Sequence, residues 1–248
     1  GQNIATGKES LDYLFDPSET EFKKSYLDVK GLFQRDDGLY YSYESVSNFA
    51  ELDTATKQLI LYDAPAVTQA SSRWGNVGNF LPFNTGEQVF DGEDSSGRLT
   101  SNVSSTDGNI NHYFGMTMDV DFRQPTNGKV AGRWNTQTAT LVPMEFSIAG
   151  DDDIWVFIDN VLVLDLGGSF GAIKEGAIDF STGQVEVRNT STGNTITLTT
   201  LKEIFSNAGR AADNKAWRGD TFADGTEHAL KVFYLERGNY DSILSTKF

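Results

Sequence analysis

Residues 150–168 read GDDDIWVFIDNVLVLDLGG, and this stretch decides the fold of the chain. Three aspartates, Asp151 to Asp153, open an apolar run that is interrupted once, by Asp159-Asn160, and is closed by a pair of glycines. Because Asp and Asn are common in the tight turns of hairpins, the pattern predicts a buried β-hairpin with its turn at Asp159-Asn160. The first arm is apolar on both sides, so we expect it to be a central strand of a sheet.

The head of this hairpin is an acidic cluster. Three adjacent aspartates repel one another unless a cation, hydrogen-bond donors or water compensates their charge. Oxygen ligands gathered at one strand end suit calcium. A solvated acidic turn is the alternative interpretation, and the aspartates alone do not decide between the two.

Segments of β character recur on both sides of the hairpin. Residues 114–122 alternate apolar and polar side chains, which is the pattern of a half-buried strand. The other predicted strands share this alternation or a short apolar run, and they cover residues 25–33, 39–43, 57–63, 141–149, 177–180, 185–188, 196–198, 227–237 and 242–248. The sequence therefore predicts an all-β fold, an antiparallel and jelly-roll-like β-sandwich. Only minor helical turns are expected, at residues 10–17 and 201–205.

The region between residues 64 and 113 predicts long loops, because it is rich in Gly, Ser, Asn and Asp. It also contains the aromatic residues Trp74, Phe80 and Phe83, and this aromatic content is higher than that of a linker. We therefore expect no domain boundary here and a single β-sandwich domain over residues 1–248. Such a domain would be excised from a larger surface protein.

The composition argues against several classes of function. The formal net charge of −15 disfavours binding to nucleic acid, which needs clustered Lys and Arg. The chain has no Cys and two His, which excludes disulfides and thiol catalysis and argues against a zinc enzyme. There is no run of 18 apolar residues, so no membrane insertion is expected. As an isolated domain the chain is expected to be a monomer.

Several motifs together resemble one family. They read GLYYSY at residues 38–43, FLPFN at 80–84, IDFSTG at 178–183 and HALKVFYLERGNYDS at 228–242, in addition to the hairpin at 150–168. The chain resembles the fibro-slime branch of the protective-antigen-type β-sandwich superfamily, and it is similar to bacterial adhesin and flocculin-type carbohydrate-binding domains. The resemblance extends from about residue 38 to the C-terminus.

The resemblance implies a calcium site. In the calcium-dependent lectins of this superfamily, two consecutive aspartates joined by a cis peptide bind the ion, which in turn holds sugar hydroxyls. These aspartates correspond to Asp151 and Asp152, and the loop between the last two strands would add Asn239 and Asp241 as metal ligands. Tyr240 of the same loop joins the expected ligand-binding residues.

Asp153 departs from the family pattern, in which many members have glycine. Its carboxylate would either add a ligand to the metal or point into the core and bond backbone amides. Glycan binding is implied by the resemblance alone.

The expected function is that of a non-catalytic, extracellular binding module of a cell-surface or cell-wall adhesin. Calcium would be its cofactor, and a glycan or cell-surface protein its partner. The alternative is a structural or protein-binding stalk module, for which an intramolecular Lys–Asn isopeptide bond would replace the missing disulfides. A hydrolase is the third hypothesis, since residues 167–171 match the Gly-x-Ser-x-Gly nucleophile pattern. However, the helix that this pattern requires is cut short by Gly176.

Four remaining side chains have structural interpretations beside functional ones. His112 and His228 lie next to apolar strand residues, where a hydrogen-bonded structural histidine is the default. Trp74 and Trp217 lie in loops, where each would either cover the end of the core or offer a platform for a sugar ring.

Overall fold

Antiparallel strands are the main secondary structure of the described residues in the computed structural model. The structure describes residues 12–35, 40–64, 67–68, 76–77, 79–100, 110–135, 138–168, 173–212, 216–237 and 242–248. Within these ranges there are three short α-helices and one 3-10 turn: α1 (Asp12–Phe15), α2 (Gly86–Val89), α3 (Leu201–Asn207) and the turn Thr126–Gly128.

The strands, in chain order, are β1 (Gln34–Arg35), β2 (Tyr41–Glu44), β3 (Asn48–Asp53), β4 (Gln58–Asp63), β5 (Val67–Thr68), β6 (Asn76–Val77), β7 (Gly92–Glu93), β8 (Leu99–Thr100), β9 (Phe114–Arg123), β10 (Lys129–Asn135), β11 (Thr138–Pro143), β12 (Glu145–Gly150), β13 (Asp153–Ile158), β14 (Val161–Asp165), β15 (Lys174–Asp179), β16 (Gln184–Asn189), β17 (Thr195–Thr200), β18 (Trp217–Arg218), β19 (Thr221–Phe222), β20 (Glu227–Glu236) and β21 (Leu244–Lys247).

The predicted hairpin is formed by β13 and β14. Ile158 pairs with Val161 across the turn, and the two turn residues, Asp159 and Asn160, have φ angles of 49° and 65°. Positive φ at both central residues defines a type I′ turn, whose twist matches that of the strands it joins. The prediction of a hairpin with its turn at Asp159-Asn160 is confirmed.

Two antiparallel sheets form the sandwich. The large sheet has seven strands in the order β1-β2-β21-β12-β15-β16-β17, and the small sheet has four in the order β14-β13-β20-β9. The chain repeatedly changes sheets, since β12, β15 and β21 lie in the large sheet whereas β13, β14 and β20 lie in the small one. The all-β, antiparallel sandwich expected from the sequence is confirmed.

The main core lies between the two sheets. Phe122 of the small sheet contacts Phe180 and Phe248, with ring centroids 4.9 and 5.7 Å apart. Gly176 of the large sheet lies directly under the small sheet, because a Cβ at this position would come within 2.9 Å of Leu164. The two inner faces therefore interdigitate at close range.

Burial alternates along the strands of the small sheet, as the sequence predicts for residues 114–122. In β9 the partly or fully buried side chains are every second residue from Phe114. In β20 the five residues with this spacing are all buried, namely His228, Leu230, Val232, Tyr234 and Glu236. One face of each strand packs against the large sheet and the other faces outward.

Two strand predictions are corrected. Residues 25–33 do not form a strand, because Asp28 and Gly31 have φ angles of 59° and 96°, which break an extended chain; the strand of this hairpin is β1. The predicted strand 141–149 is two strands separated at Met144, whose N–H donates to Gly128 O at 2.8 Å. There the chain leaves β11, which pairs with β10, and enters the large sheet.

A second, smaller hydrophobic cluster lies beside the main core. Its buried members come from the β3–β4 hairpin and from residues 79–110: Phe49, Ala64, Leu81, Val89, Phe90, Leu99 and Ile110. The buried aromatic and aliphatic residues of the long-loop region thus have a packing role.

The packing predicts a contrast between two isoleucines in strands. Ile154 of β13 is fully buried, whereas Ile196 of the edge strand β17 is 54% exposed. Ile154→Ala is expected to lower the free energy of unfolding by about 2–5 kcal/mol, because it leaves a cavity in the core. Ile196→Ala, the matched control, should lower it by less than about 1 kcal/mol. Urea denaturation of both variants checks this, and equal losses would contradict the proposed core.

Candidate functional site

The three aspartates lie where the chain crosses from the large sheet to the small sheet. Asp151 and Asp152 connect β12 to β13, and Asp153 is the first residue of β13. Asp152 and Asp153 are 7% and 5% exposed, and Asp151 is half-buried. A solvated acidic turn would leave these side chains in water, so that interpretation does not fit the fold.

Asp151 and Asp152 hold the two ends of the loop that the sequence analysis paired with them. Asp152 Oδ2 accepts a hydrogen bond from Arg237 N at 2.7 Å, just before residues 238–241. Asp151 Oδ1 accepts one from Ile243 N at 2.9 Å, just after them. The structure therefore brings the aspartate pair to both ends of this loop, even though β12 and β21 are almost 100 residues apart in the chain.

Ser242 fixes the far end of the loop to the core. Its Oγ donates to the carbonyl of Phe80, and Phe80 N donates back to Ser242 O at 3.2 Å. The Tyr234 hydroxyl lies 3.3 Å from Ser242 Oγ. The FLPFN motif thus contributes to the site through its first residue, Phe80, whose backbone N–H and C=O both hydrogen-bond to Ser242 at the end of the loop.

Asp153 has protein partners for its charge. Its carboxylate pairs with Arg237, whose Nε lies 2.6 Å from Oδ2 and whose Nη2 lies 3.2 Å from Oδ1. The backbone N–H of Gly168, at the far end of the β13–β14 hairpin, also donates to Asp153 Oδ1. Of the two alternatives stated for this departure from the family pattern, the contacts match the one in which Asp153 bonds backbone amides.

Glu236 is a buried acidic residue that the sequence analysis missed. It is 1% exposed, and its Oε2 accepts a hydrogen bond from the Tyr234 hydroxyl at 2.8 Å. The alternation of β20 was the available signal, because His228 is buried and Glu236 has the same parity along the strand.

The electrostatics of the site show an excess of negative charge. Burial, the charges of Asp151 and Asp152 and a hydrogen bond to Asp152 together raise the pKa of Glu236 to about 9, and burial is the largest of these causes. Burial also raises the pKa of Tyr234 well above its ordinary value, assisted by the charge of Glu236. Three carboxyl groups therefore share a poorly hydrated region at one end of the sandwich.

The remaining expectations for the site are only partly covered by the structure. Asn239, Tyr240 and Asp241 lie outside the described residues, so their roles stay predictions. The peptide bond between Asp151 and Asp152 is trans, unlike the cis bond that the resemblance implies. Within the described part of the chain, no group of three or more His, Asp or Glu side chains is arranged to hold a metal ion.

The histidine and tryptophan predictions can be examined at His112, His228 and Trp217, and His112 is 4% exposed. His228 Nδ1 lies 2.7 Å from Asp159 Oδ2. The buried imidazole is therefore hydrogen-bonded, as the structural interpretation of His228 expects. Trp217 packs on Phe205 and Phe222 with ring centroids 5.5 and 5.2 Å away, so it covers one end of the core. Trp74 and the serine of the Gly-x-Ser-x-Gly pattern, Ser169, lie outside the described residues.

Comparisons with known proteins give short matches. No family model matches the chain, and no solved structure matches it. Three proteins of Dictyostelium discoideum are similar over segments: protein psiF is 53% identical over 36 residues, protein psiR 74% over 23 and protein psiH 32% over 111. These segments cover 14%, 9% and 38% of this chain.

The chain spans only a small part of these curated relatives. The matched segments amount to 5% of psiF, 2% of psiR and 15% of psiH. Among the described residues, no helix is long and apolar enough to cross a membrane.

The raised pKa of Glu236 predicts a pH dependence of stability in the presence of a chelator. Between the ordinary pKa of 4.5 and the folded pKa of about 9, the folded state holds a proton that the unfolded state has lost. The free energy of unfolding should therefore fall as the pH rises through this window, by up to about 1.4 kcal/mol per pH unit. Glu236→Gln, which cannot ionise, should flatten this slope in urea denaturation between pH 5 and 9.

Glu227→Gln is the matched control for this prediction. Glu227 begins the same strand but is exposed, so its substitution should leave the slope unchanged. A wild-type slope that Glu236→Gln does not reduce would show that Glu236 ionises normally in the folded protein.

Proposed function

We propose that this chain is an extracellular, calcium-dependent binding module of a surface adhesin, which recognises a glycan or another cell-surface ligand. The observation that supports this most is the attachment of both ends of the 238–241 loop to Asp151 and Asp152. A metal ligated by the aspartate pair and this loop would lie at one end of a rigid sandwich. Ligands for binding are commonly presented from loops held by such a scaffold.

The chemistry of the donors fits calcium. Carboxylate oxygens from Asp151 and Asp152, with oxygens from Asn239 and Asp241, would form the hard ligand set that calcium prefers. Glu236 adds a third carboxyl group close behind the pair, and without a cation it holds a proton at neutral pH, because its pKa is raised to about 9. A divalent cation would compensate the charge of the three carboxyl groups more fully than this proton does.

Calcium would supply a bridge to the ligand when it is bound. Because calcium accepts six to eight oxygen ligands, positions left open by the protein can be taken by hydroxyl groups of a sugar. The protein residues would hold the ion at the domain surface and orient the ligand, with Tyr240 beside it. No proton transfer or bond cleavage is required, so we propose a binding role and no enzymatic one.

A stalk module is the second candidate, and a specific observation favours it. Every one of the three aspartates has a protein partner: Arg237 N for Asp152, Ile243 N for Asp151, and the Arg237 side chain for Asp153. Such contacts could hold the two sheets together without any metal. In that case the aspartates would be structural, and the chain would serve as a spacer or protein-binding unit at the cell surface.

Thermal unfolding with calcium and with chelator separates the two candidates. Calcium at about 100 times its dissociation constant should stabilise the wild type by about 2.7 kcal/mol. Asp152→Asn keeps an oxygen for Arg237 N but removes a charge from the proposed ligand set, so its calcium-dependent stabilisation should be largely lost. Asp121→Asn, on the outward face of β9, is the control and should respond to calcium as the wild type does.

The outcomes are distinct. If neither the wild type nor Asp121→Asn shifts with calcium, the metal is absent and the stalk module becomes the better account. If Asp152→Asn shifts as much as the wild type, calcium binds elsewhere and the proposed site is wrong. If the thermal unfolding of the wild type shifts with calcium, a glycan array probed with and without calcium would identify the ligand class.

A further inference from the structure

The imidazole of His228 lies between a carboxylate and a hydroxyl, at the end of the small sheet opposite the aspartates. Its Nδ1 lies 2.7 Å from Asp159 Oδ2 in the β13–β14 turn, and its Nε2 lies 2.7 Å from Thr226 Oγ1. The same Thr226 hydroxyl donates a hydrogen bond to the carbonyl oxygen of Ala223 at 2.7 Å. These three short contacts together determine where the protons of the ring are.

The hydroxyl of Thr226 determines the proton on Nε2. A hydroxyl has one proton, and here this proton points at Ala223 O, because a carbonyl oxygen can only accept. Thr226 Oγ1 must then accept a hydrogen bond from His228, which requires a proton on Nε2. Without that proton, two lone pairs would face each other at 2.7 Å.

The carboxylate of Asp159 determines the proton on Nδ1. An ionised carboxylate has no proton to donate, so its contact with Nδ1 requires an N–H on that nitrogen. Placing this proton on Asp159 instead would put it on the weaker of the two bases. A neutral imidazole has one N–H, whereas both nitrogens are donors in the imidazolium ion. The two contacts of the ring are therefore satisfied together by the charged form.

The packing of the ring suits a positive charge. The side chain of His228 is 1% exposed, and that of its partner Asp159 is 24% exposed. A charge can be buried in a protein when it is paired and hydrogen-bonded. In addition, the ring of Phe222 stacks on the imidazole with a centroid distance of 3.8 Å, and the face of an aromatic ring attracts a cation.

The charged groups around the ring are mostly acidic. Those that line the surface cleft beside His228, or lie in the adjoining segment of residues 223–226, are Asp121, Arg123, Asp159, Asp224 and Glu227. Arg123 Nε donates to Gly225 O at 3.1 Å, and the carboxylate of Asp224 is paired with Arg218 at 3.1 Å. The net charge beside His228 is negative, which favours the imidazolium.

We propose that His228 is an imidazolium ion in the folded protein at neutral pH, and that its second proton forms a pH-sensitive lock. The lock joins the β13–β14 turn, through Asp159, to the segment of residues 223–226, through Thr226. When the ring loses one proton to the solvent, Asp159 keeps the remaining N–H on Nδ1. Thr226 must then turn its hydroxyl towards Nε2 and give up its bond to Ala223 O.

The segment that contains Thr226 is a junction of several elements. Gln124, which follows β9, donates its N–H to Thr226 O at 2.9 Å. Asp224 Oδ1 accepts a hydrogen bond from Asn127 N, in the 3-10 turn, at 3.0 Å. Deprotonation of His228 therefore loosens the place where the ends of β9 and β20 are tied together. The lock does not rest on the calcium site, which lies at the other end of β20.

Nuclear magnetic resonance of the 15N-labelled full chain reads the ring directly, because the chain contains two histidines. At pH 7 both ring nitrogens of His228 should have the chemical shift of a protonated nitrogen, and His112→Gln assigns the signals. Asp159→Asn should convert the ring to the neutral form, with one unprotonated nitrogen. Asn is well accepted in a type I′ turn, so this variant should keep its fold.

Asp119→Asn is the matched control. It removes the same charge from the outward face of β9, where Asp119 is paired with Lys231 at 3.0 Å, and it should leave the His228 ring charged at pH 7. A neutral His228 ring in the wild type at pH 7 would overturn the proposal. A ring that is equally charged in Asp159→Asn would show that the carboxylate does not hold the proton.

The lock itself is read at Ala223. As the pH is raised, the 13C resonance of the Ala223 carbonyl should shift with the same midpoint as the His228 ring, because the hydroxyl of Thr226 leaves this oxygen. Thr226→Val has no hydroxyl and should abolish the shift. An Ala223 resonance that does not follow the ring, or a ring that stays charged until the protein unfolds, would exclude the pH-sensitive lock.

Discussion

The small sheet can bury only one of its faces against the large sheet, and β20 runs through that face from end to end. Every second residue of β20 must therefore be buried, whatever its chemistry. For Leu230, Val232 and Tyr234 this burial builds the core. At the two ends of the strand the same constraint buries His228 and Glu236, which are ionisable. The burial of both ionisable side chains, His228 and Glu236, therefore follows from the alternation of β20.

The unfavourable burial of an ionisable group is compensated differently at the two ends of β20. His228 is paired with Asp159 and Thr226, and the turn of the β13–β14 hairpin supplies its carboxylate. Glu236 lies near two further carboxyl groups, and its pKa rises to about 9, chiefly because it is buried and also because of the charges of Asp151 and Asp152. The first side chain is satisfied by hydrogen bonds, whereas the second holds a proton at neutral pH, because its pKa is raised to about 9. In this way a single strand organises two chemically different ends of the domain.

Much of the fold could be predicted from the sequence because it is specified locally. The turn at Asp159-Asn160 and the alternation along residues 114–122 each follow from adjacent residues. The site was predictable only in part. Asp151 and Asp152 were found through a resemblance, whereas the pairing of Asp153 with Arg237 depends on contacts between segments more than 80 residues apart. The break at Asp28 and Gly31 arises from backbone angles that the apolar pattern of residues 25–33 does not encode.

The central claim is that the aspartate pair and the loop after β20 hold one calcium ion, and calorimetric titration of the full chain tests it most directly. The protein is first freed of metal with a chelator and then titrated with calcium chloride. We predict one calcium per chain for the wild type, and binding weakened by more than about tenfold in Asp151→Asn, which keeps an oxygen for Ile243 N but loses the charge. No heat of binding in the wild type, or equal affinity in the variant, would contradict the account.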